Sequence, residues 1–404
     1  MTHKKGLIFG ICLLIFLGVS FCVAEESPEF PDPAYRLAFL SMNNNLFGIH
    51  SDGTGLIRLT PDGANSLHPV WAPDGTKLLY LTQRAESLFS VKYSLWVTAA
   101  DGTEQFEIAT DCEIDSLPVW SPDSSQILFV EKYDGKKYPV VSTPDGKTKM
   151  VLKDYQLGTT FVNRLSWSPD GAKILGVFRL GGKDALATLE LNGAAPVILL
   201  DKVGDYICPT WSSDGSRIAF GFDKILGIIG SKQGLYIIPA TGGEPAFITA
   251  GKDIFNISWA PDDTAIAFTR RSTTTSKDSK GYYTTSYNYT SYVVNVNDKK
   301  PRPVKLTDKA NAAECISWSP DSSKLAYTGF FMLGVLPSKA KIYKIKVPCA
   351  LGAPSWSPDG AWIACTGRPN IFTRTSIYIA SADGKKIFKL TNNGADSNPV
   401  WAPK

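Results

Sequence analysis

Histidine is nearly absent from this sequence. Of three in 404 residues, His3 precedes an apolar leader, so only His50 and His68 are left to the rest of the chain. Two histidines on separate stretches, each readable as an ordinary strand or loop residue, offer little for an imidazole metal centre or a histidine acid–base pair. Cysteine is sparse as well. Beyond the leader Cys112, Cys208, Cys315, Cys349 and Cys365 are odd in number, widely spaced and never in C-x-x-C, which excludes a disulfide framework and a zinc site. Cys365, in the apolar run WIACT, reads as a small buried hydrophobe. One disulfide, such as Cys349 with Cys365, is compatible with the sequence but does not follow from it. No G-x-S-x-G phrase and no phosphate-cradling glycine loop occurs. Strong charge is missing too: the net charge is +4, and loss of Lys4 and Lys5 with a leader would lower it to about +2. That is no footprint for nucleic acid or an anionic membrane.

What is present begins with the leader. Lys4-Lys5, the apolar run from Gly6 to Phe21 and Cys22-Val23-Ala24 are the parts of a secretory signal, with cleavage expected after Ala24. The expected organisation is a signal peptide over residues 1–24, a linker over 25–35 and one repeat domain over 36–404, with export to the periplasm or beyond. Two rival readings use the same residues: lipidation at Cys22, and retention of Gly6 to Ala24 as a membrane anchor.

The remaining chain repeats one phrase. "HPVWAPDGTKLLYL" at Trp71 recurs with variation at Trp120, Trp167, Trp211, Trp259, Trp318 and Trp356, and "NPVWAP" at Trp401 makes eight. Successive tryptophans lie 49, 47, 44, 48, 59, 38 and 45 residues apart, the length of a four-stranded propeller blade. In S-P-D-G, Ser starts a type I turn, Pro pre-sets φ and Gly takes the last position, so the phrase is a hairpin turn. The short apolar run after it suits a strand buried on both faces. Trp supplies a large flat surface for packing one blade on the next. Between Glu25 and Trp71 only the second to fourth strands of a unit appear, as RLAFL, LFGIH and LIRLT; the first is expected from Asn398 to Lys404. The expected fold is therefore all-β: a propeller of eight blades, or seven, closed by pairing the C-terminal strand with the N-terminal blade. The unit after Trp318 is the shortest, with KIYKIKV as its one clear later strand.

The W-S-P-D-G phrase followed by an I-A-F-type strand resembles the repeat of the TolB-like propellers, over residues 36 to 404. It is also similar to propellers that cap prolyl-oligopeptidase-type proteases. The TolB-like resemblance implies a periplasmic envelope protein that binds a partner across the propeller mouth. The family's type member carries an α/β domain before the propeller and usually six blades, whereas here Glu25 to Tyr35 precede the first strand and eight phrases are counted. Pectate-degrading lyases built on similar repeats depend on a histidine-bearing metal site, for which this composition offers little.

Tight P-D-G, D-G and N-G turns leave one propeller face bare, so a binding site is expected on the other. Long second-to-third connections are read at Gln83 to Tyr93, Asp223 to Gly234, Arg270 to Tyr292 and Gly329 to Lys341. The third carries Tyr282, Tyr283, Tyr287, Tyr289 and Tyr292 and reads as a protruding hairpin suited to a protein or envelope-glycan partner. The same face receives Asp115, Asp205, Asp253, Glu314 and Asp396, four to six residues before their tryptophans. Such carboxylates could hold Ca²⁺ or a basic partner loop, or could simply close Asx-turns. The expected protein is a monomeric, non-catalytic binding module without a resident cofactor, touching a membrane only through its leader. The competing class is a propeller hydrolase or lyase working at the channel mouth.

Overall fold

A computed structural model describes residues 34–403 except 42–43, 88–89, 115, 159–163, 202–204, 224–231, 278–281, 307–314, 330–331, 338–342, 346–350, 369–372 and 393. The leader and most of the linker lie outside these residues. Among those described there is no α-helix, hence none long and apolar enough to cross a membrane. They form eight four-stranded antiparallel sheets. In seven, four consecutive strands lie side by side; the sheet over Ser66–Trp71, Lys77–Ser87, Ser90–Ala99 and Gln105–Ala109 is an example. The remaining sheet is drawn from both chain ends: Ser397–Trp401 pairs with Arg36–Ser41, followed by Asn45–His50 and Ile57–Arg58.

The second strands each bury an unbroken apolar run among the described residues. Leu78 to Leu81, Ile127 to Val130 and Ile363 to Cys365 are fully covered because a neighbouring sheet lies on each face. One core joins Leu79 and Val97 to Trp120 and Phe129 of the next sheet, and another joins Leu175 and Val177 to Trp211 and Phe220. The sheet made from both ends packs on two sides, with Ala38 and Leu46 against Trp71 and Tyr80, and Leu37 and Trp401 against Ile377 and Ile379.

Seven of the repeat tryptophans are buried and Trp318 is half-buried. Five also use the indole N–H. Those of Trp71, Trp120, Trp259, Trp318 and Trp356 donate to the carbonyls of Val400, Val70, Thr210, Ser258 and Ser317, each the residue before the tryptophan of the preceding sheet. The residue is thus both packing surface and latch, which distinguishes it from Phe in the same slot.

The P-D-G turns form as the sequence requires. In the turn after Trp318, Ser322 N donates to the Ser319 carbonyl, Ser319 Oγ donates to Asp321 Oδ1, and Lys324 N returns to Ser319 Oγ. Where glycine is replaced at the last position, Ser124, Asp263 and Ser322 still adopt φ of 63°, 58° and 60°. Each reaches the preceding turn: Asp74 N donates to Ser124 Oγ, Asp262 N to Ser322 Oγ, and Ser213 N and Asp214 N to the two carboxylate oxygens of Asp263. Hydrogen bonds between sheets offset the left-handed backbone.

One expectation is corrected. The stretch Gly329 to Lys341 is not a long loop: Gly329 pairs with Met332, and Met332–Pro337 is the third strand of its sheet, beside Tyr343–Ile345 as the fourth. The unit after Trp318 therefore has four strands among the described residues. Cys365 is a free, fully buried thiol whose pKa burial pushes up to about 12, and Cys349 lies outside the described residues.

Candidate binding face

Two of the long connections are extensions of strands. Gln83 to Tyr93 is taken up by the hairpin Lys77–Ser87 with Ser90–Ala99, and Arg270 to Tyr292 by Ala265–Lys277 with Tyr283–Asn295. The second is the longer ribbon, thirteen consecutive pairs from Ala265 with Asn295 to Lys277 with Tyr283. β-branched threonines and tyrosines favour this extended pairing. Its outer half runs past its neighbours: the first strand of the sheet reaches Arg270 through Ile254, and the fourth reaches Tyr292 through Lys305.

The register sorts the five tyrosines. Side chains alternate between faces along a strand, so Tyr283 and Tyr289 share one face with Arg271, Thr273 and Lys277, while the backbone of Tyr287 pairs with Thr273. Ser272, Thr274, Ser276, Thr284, Ser286 and Asn288 occupy the opposite face. Tyr292 belongs to that second face and is half-buried, stacked on Phe268 at 5.5 Å with the Arg270 guanidinium 4.7 Å from its ring. It is part of the core's upper edge. Tyr289 meets Phe255 edge-on at 5.7 Å, whereas Tyr283 is 70% exposed with Lys277 Nζ 5.2 Å above its ring. Tyr282, 71% exposed, precedes the strand.

The carboxylates are placed in different surroundings. Asp396 is fully buried and accepts hydrogen bonds from the hydroxyls of Ser41 and Thr391, while its N–H donates to Thr375. It fastens the strand from the C-terminal end to the first strand of the chain. Asp253 is half-buried, 3.3 Å from Arg271 Nε. Asp205 begins the strand Asp205–Trp211, and Asp115 and Glu314 lie outside the described residues. Among the described residues no group of three or more His, Cys, Asp or Glu side chains is arranged to hold a metal ion.

His50 ends a third strand and His68 sits in the first strand of the following sheet. Sequence reading missed what surrounds His68. It, Cys208, Asn256 and Asn398 each stand three residues before a repeat tryptophan, with φ of 50°, 47°, 51° and 51°, at register shifts in the innermost pairings. A bulge there re-aims the side chains at one end of the first strand. The Asn and His residues at this offset were the available signal, since both tolerate a left-handed backbone better than most. Burial lowers the His68 pKa below the ordinary histidine value, which holds the ring neutral at pH 7.

Repeated four-stranded sheets stacked face to face, each carrying its tryptophan on the first strand, define a β-propeller. The chain belongs to the TolB beta propeller domain family, whose model matches residues 76–283. Among solved structures it is similar to an oligogalacturonate lyase in complex with manganese, at 14% identity and TM-score 0.54, over 85% of this chain and 96% of that one. A puromycin-hydrolyzing peptidase from Mycobacterium tuberculosis matches at 14% identity and TM-score 0.53, over 82% of this chain and 54% of the peptidase. TolB from Acinetobacter baumannii matches at 15% identity and TM-score 0.43, over 93% and 68%. No curated protein matches the chain in sequence.

Proposed function

We propose that the eight sheets are the blades of one closed propeller, and that the protein is an exported, non-catalytic scaffold that captures a protein or an envelope glycan on its loop-rich face. The observation that carries this reading is the ribbon beyond Arg270, which projects Tyr283 and Tyr282 into solvent from a rigid blade. Rigid aromatic side chains give contact area at little entropic cost. Sheet pairing of Ser397–Trp401 with Arg36–Ser41 supports closure, and the Lys4 to Ala24 leader supports export. Serine at Tyr283, Tyr287 and Tyr289 together should abolish retention of the partner in an affinity pull-down from envelope extract; undiminished retention rejects the reading. Export with cleavage after Ala24 requires an intact mass beginning at Glu25. A lyase or hydrolase would instead show turnover on a carbohydrate or peptide panel that falls in Asp205→Asn or His68→Ala.

A further inference from the structure

The outer half of the long ribbon has an open edge of a kind that natural sheets avoid. Arg271 N donates to the Asp253 carbonyl, and there the innermost strand ends, because Asp253 turns the chain away with φ of 48°. Backbone groups two, four and six residues along a strand face the same side. The N–H and C=O groups of Thr273, Thr275 and Lys277 therefore face the vacant position that the strand Ile254–Trp259 fills lower down. Among the described residues no strand pairs with that position.

Exposed edges are usually blunted by proline, bulges or charge. The other long hairpin follows this rule: its register shifts between Ala85 and Ser87, and Lys92 there is tied to Glu86 at 3.1 Å and Asp111 at 3.4 Å. The ribbon over Ala265–Lys277 and Tyr283–Asn295 has no register shift and no proline. Its described charges are all positive, Arg270, Arg271 and Lys277, and over residues 265–295 the sequence adds Asp278 and Lys280, for a net charge of +3.

We propose that this edge is a template for strand addition, taking an extended acidic segment of a partner protein as a new strand beside Thr273–Lys277. The main-chain pairing supplies binding, and alternate partner side chains fall on the tyrosine face beside Thr273, Thr275 and Lys277, with Tyr283 one strand beyond. Acidic side chains meet Lys277 there. The proposal rests on the reading of this face as the partner surface and adds the mode and the chemistry of capture.

The test uses the full chain and three end-blocked, fluorescein-labelled octapeptides that alternate valine with glutamate, serine or lysine. Fluorescence anisotropy should show the glutamate peptide binding more than about tenfold tighter than the lysine peptide, with slowed amide exchange at 273–277. Thr275→Pro removes an outward N–H while leaving the ribbon's own ladder intact, and should weaken the glutamate peptide by more than about tenfold. Equal affinity for wild type and Thr275→Pro, or no binding of any peptide at about 1 mM, overturns the proposal. A dimer that Thr275→Pro dissolves in sedimentation assigns the edge to a second copy and also overturns it. Chitohexaose binding that needs the three tyrosines but ignores Thr275→Pro overturns strand addition while leaving partner capture standing. Failure of every probe, with retention unchanged in the tyrosine variant, sinks both readings.

Discussion

Trp71 donates its indole N–H to the carbonyl of Val400 at 3.2 Å, across 329 positions of sequence. The same bond joins Trp120 to Val70 and Trp356 to Ser317 between sheets that follow one another in the chain. The strand Ser397–Trp401 thus meets the sheet of Trp71 through the junction that also joins sheets consecutive in the chain.

Trp71→Phe keeps most of the buried ring and loses the donor, leaving the Val400 carbonyl short of a partner. A loss of about 1 kcal/mol is expected, against about 3–5 kcal/mol for Trp71→Ala, which also opens a cavity. Urea denaturation followed by fluorescence and far-UV circular dichroism checks both. Deletion of Asn398 to Lys404 removes the strand itself and should lower the midpoint of both signals together. Loss of the segment without any shift would mean that the pairing of Ser397–Trp401 with Arg36–Ser41 contributes nothing to stability.

How far the sequence foretold this arrangement depended on how local each signal was. The P-D-G turns and the tryptophan slots were readable because turn chemistry acts over four residues and the repeat displays the turn seven times and the tryptophan eight. Met332–Pro337 was hidden because an apolar run between two polar stretches fits a loop or a strand equally until its pairing with Lys324–Gly329 is seen. The spacing that grouped Asp253 with Asp396 could not show which way either points. Asp253 stands six residues before its tryptophan and is itself left-handed, whereas Asp396 stands five before, and one carboxylate lies against Arg271 while the other is fully buried. That Tyr292 would part from Tyr283 and Tyr289 was clear only once the pairing of Tyr283–Asn295 as one continuous strand was seen.

Asp396 is expected to be a structural carboxylate. Asp396→Ala would strand the buried hydroxyls of Ser41 and Thr391 and should destabilise the fold by about 1–3 kcal/mol, read from the urea midpoint. Partner retention at low temperature should be unchanged, and calorimetric titration of the wild type with calcium should give no heat above dilution. Calcium heat that disappears in Asp396→Ala would return this residue to an ion site.

The turn aspartates set an acid limit. Hydrogen bonding from Ser319 holds Asp321 down at about 2, and Ser212 does the same for Asp214. A carboxylate whose folded pKa lies below its unfolded value near 3.8 stabilises fully above that value, and its contribution disappears as pH falls toward about 2. Both groups are largely solvated, so each contribution is small and the repetition of the turn makes the effect visible. The urea midpoint should drop between pH 5 and pH 2, and Asp321→Asn should flatten that slope. A midpoint independent of pH over this range would contradict the assignment.

Asp263 and Ser124 offer a matched pair, since both hold a left-handed position that glycine fills in other turns. Glycine at either site relieves about 1 kcal/mol of backbone strain. Ser124→Gly gives up one acceptor, for Asp74 N, and should leave stability within about 0.5 kcal/mol of wild type because the exposed N–H can turn to water. Asp263→Gly frees two adjacent N–H groups, Ser213 and Asp214, and removes the buried carboxylate that bridges one sheet to the next. A charged acceptor is stronger than a hydroxyl, so a net loss of about 1–2 kcal/mol is expected in spite of the relieved strain. Amide exchange at Ser213 and Asp214 should accelerate in Asp263→Gly, and Asp74 should respond only to Ser124→Gly. Equal stability losses in the two variants would show that backbone strain, and not the tie between turns, decides which residue stands at this position.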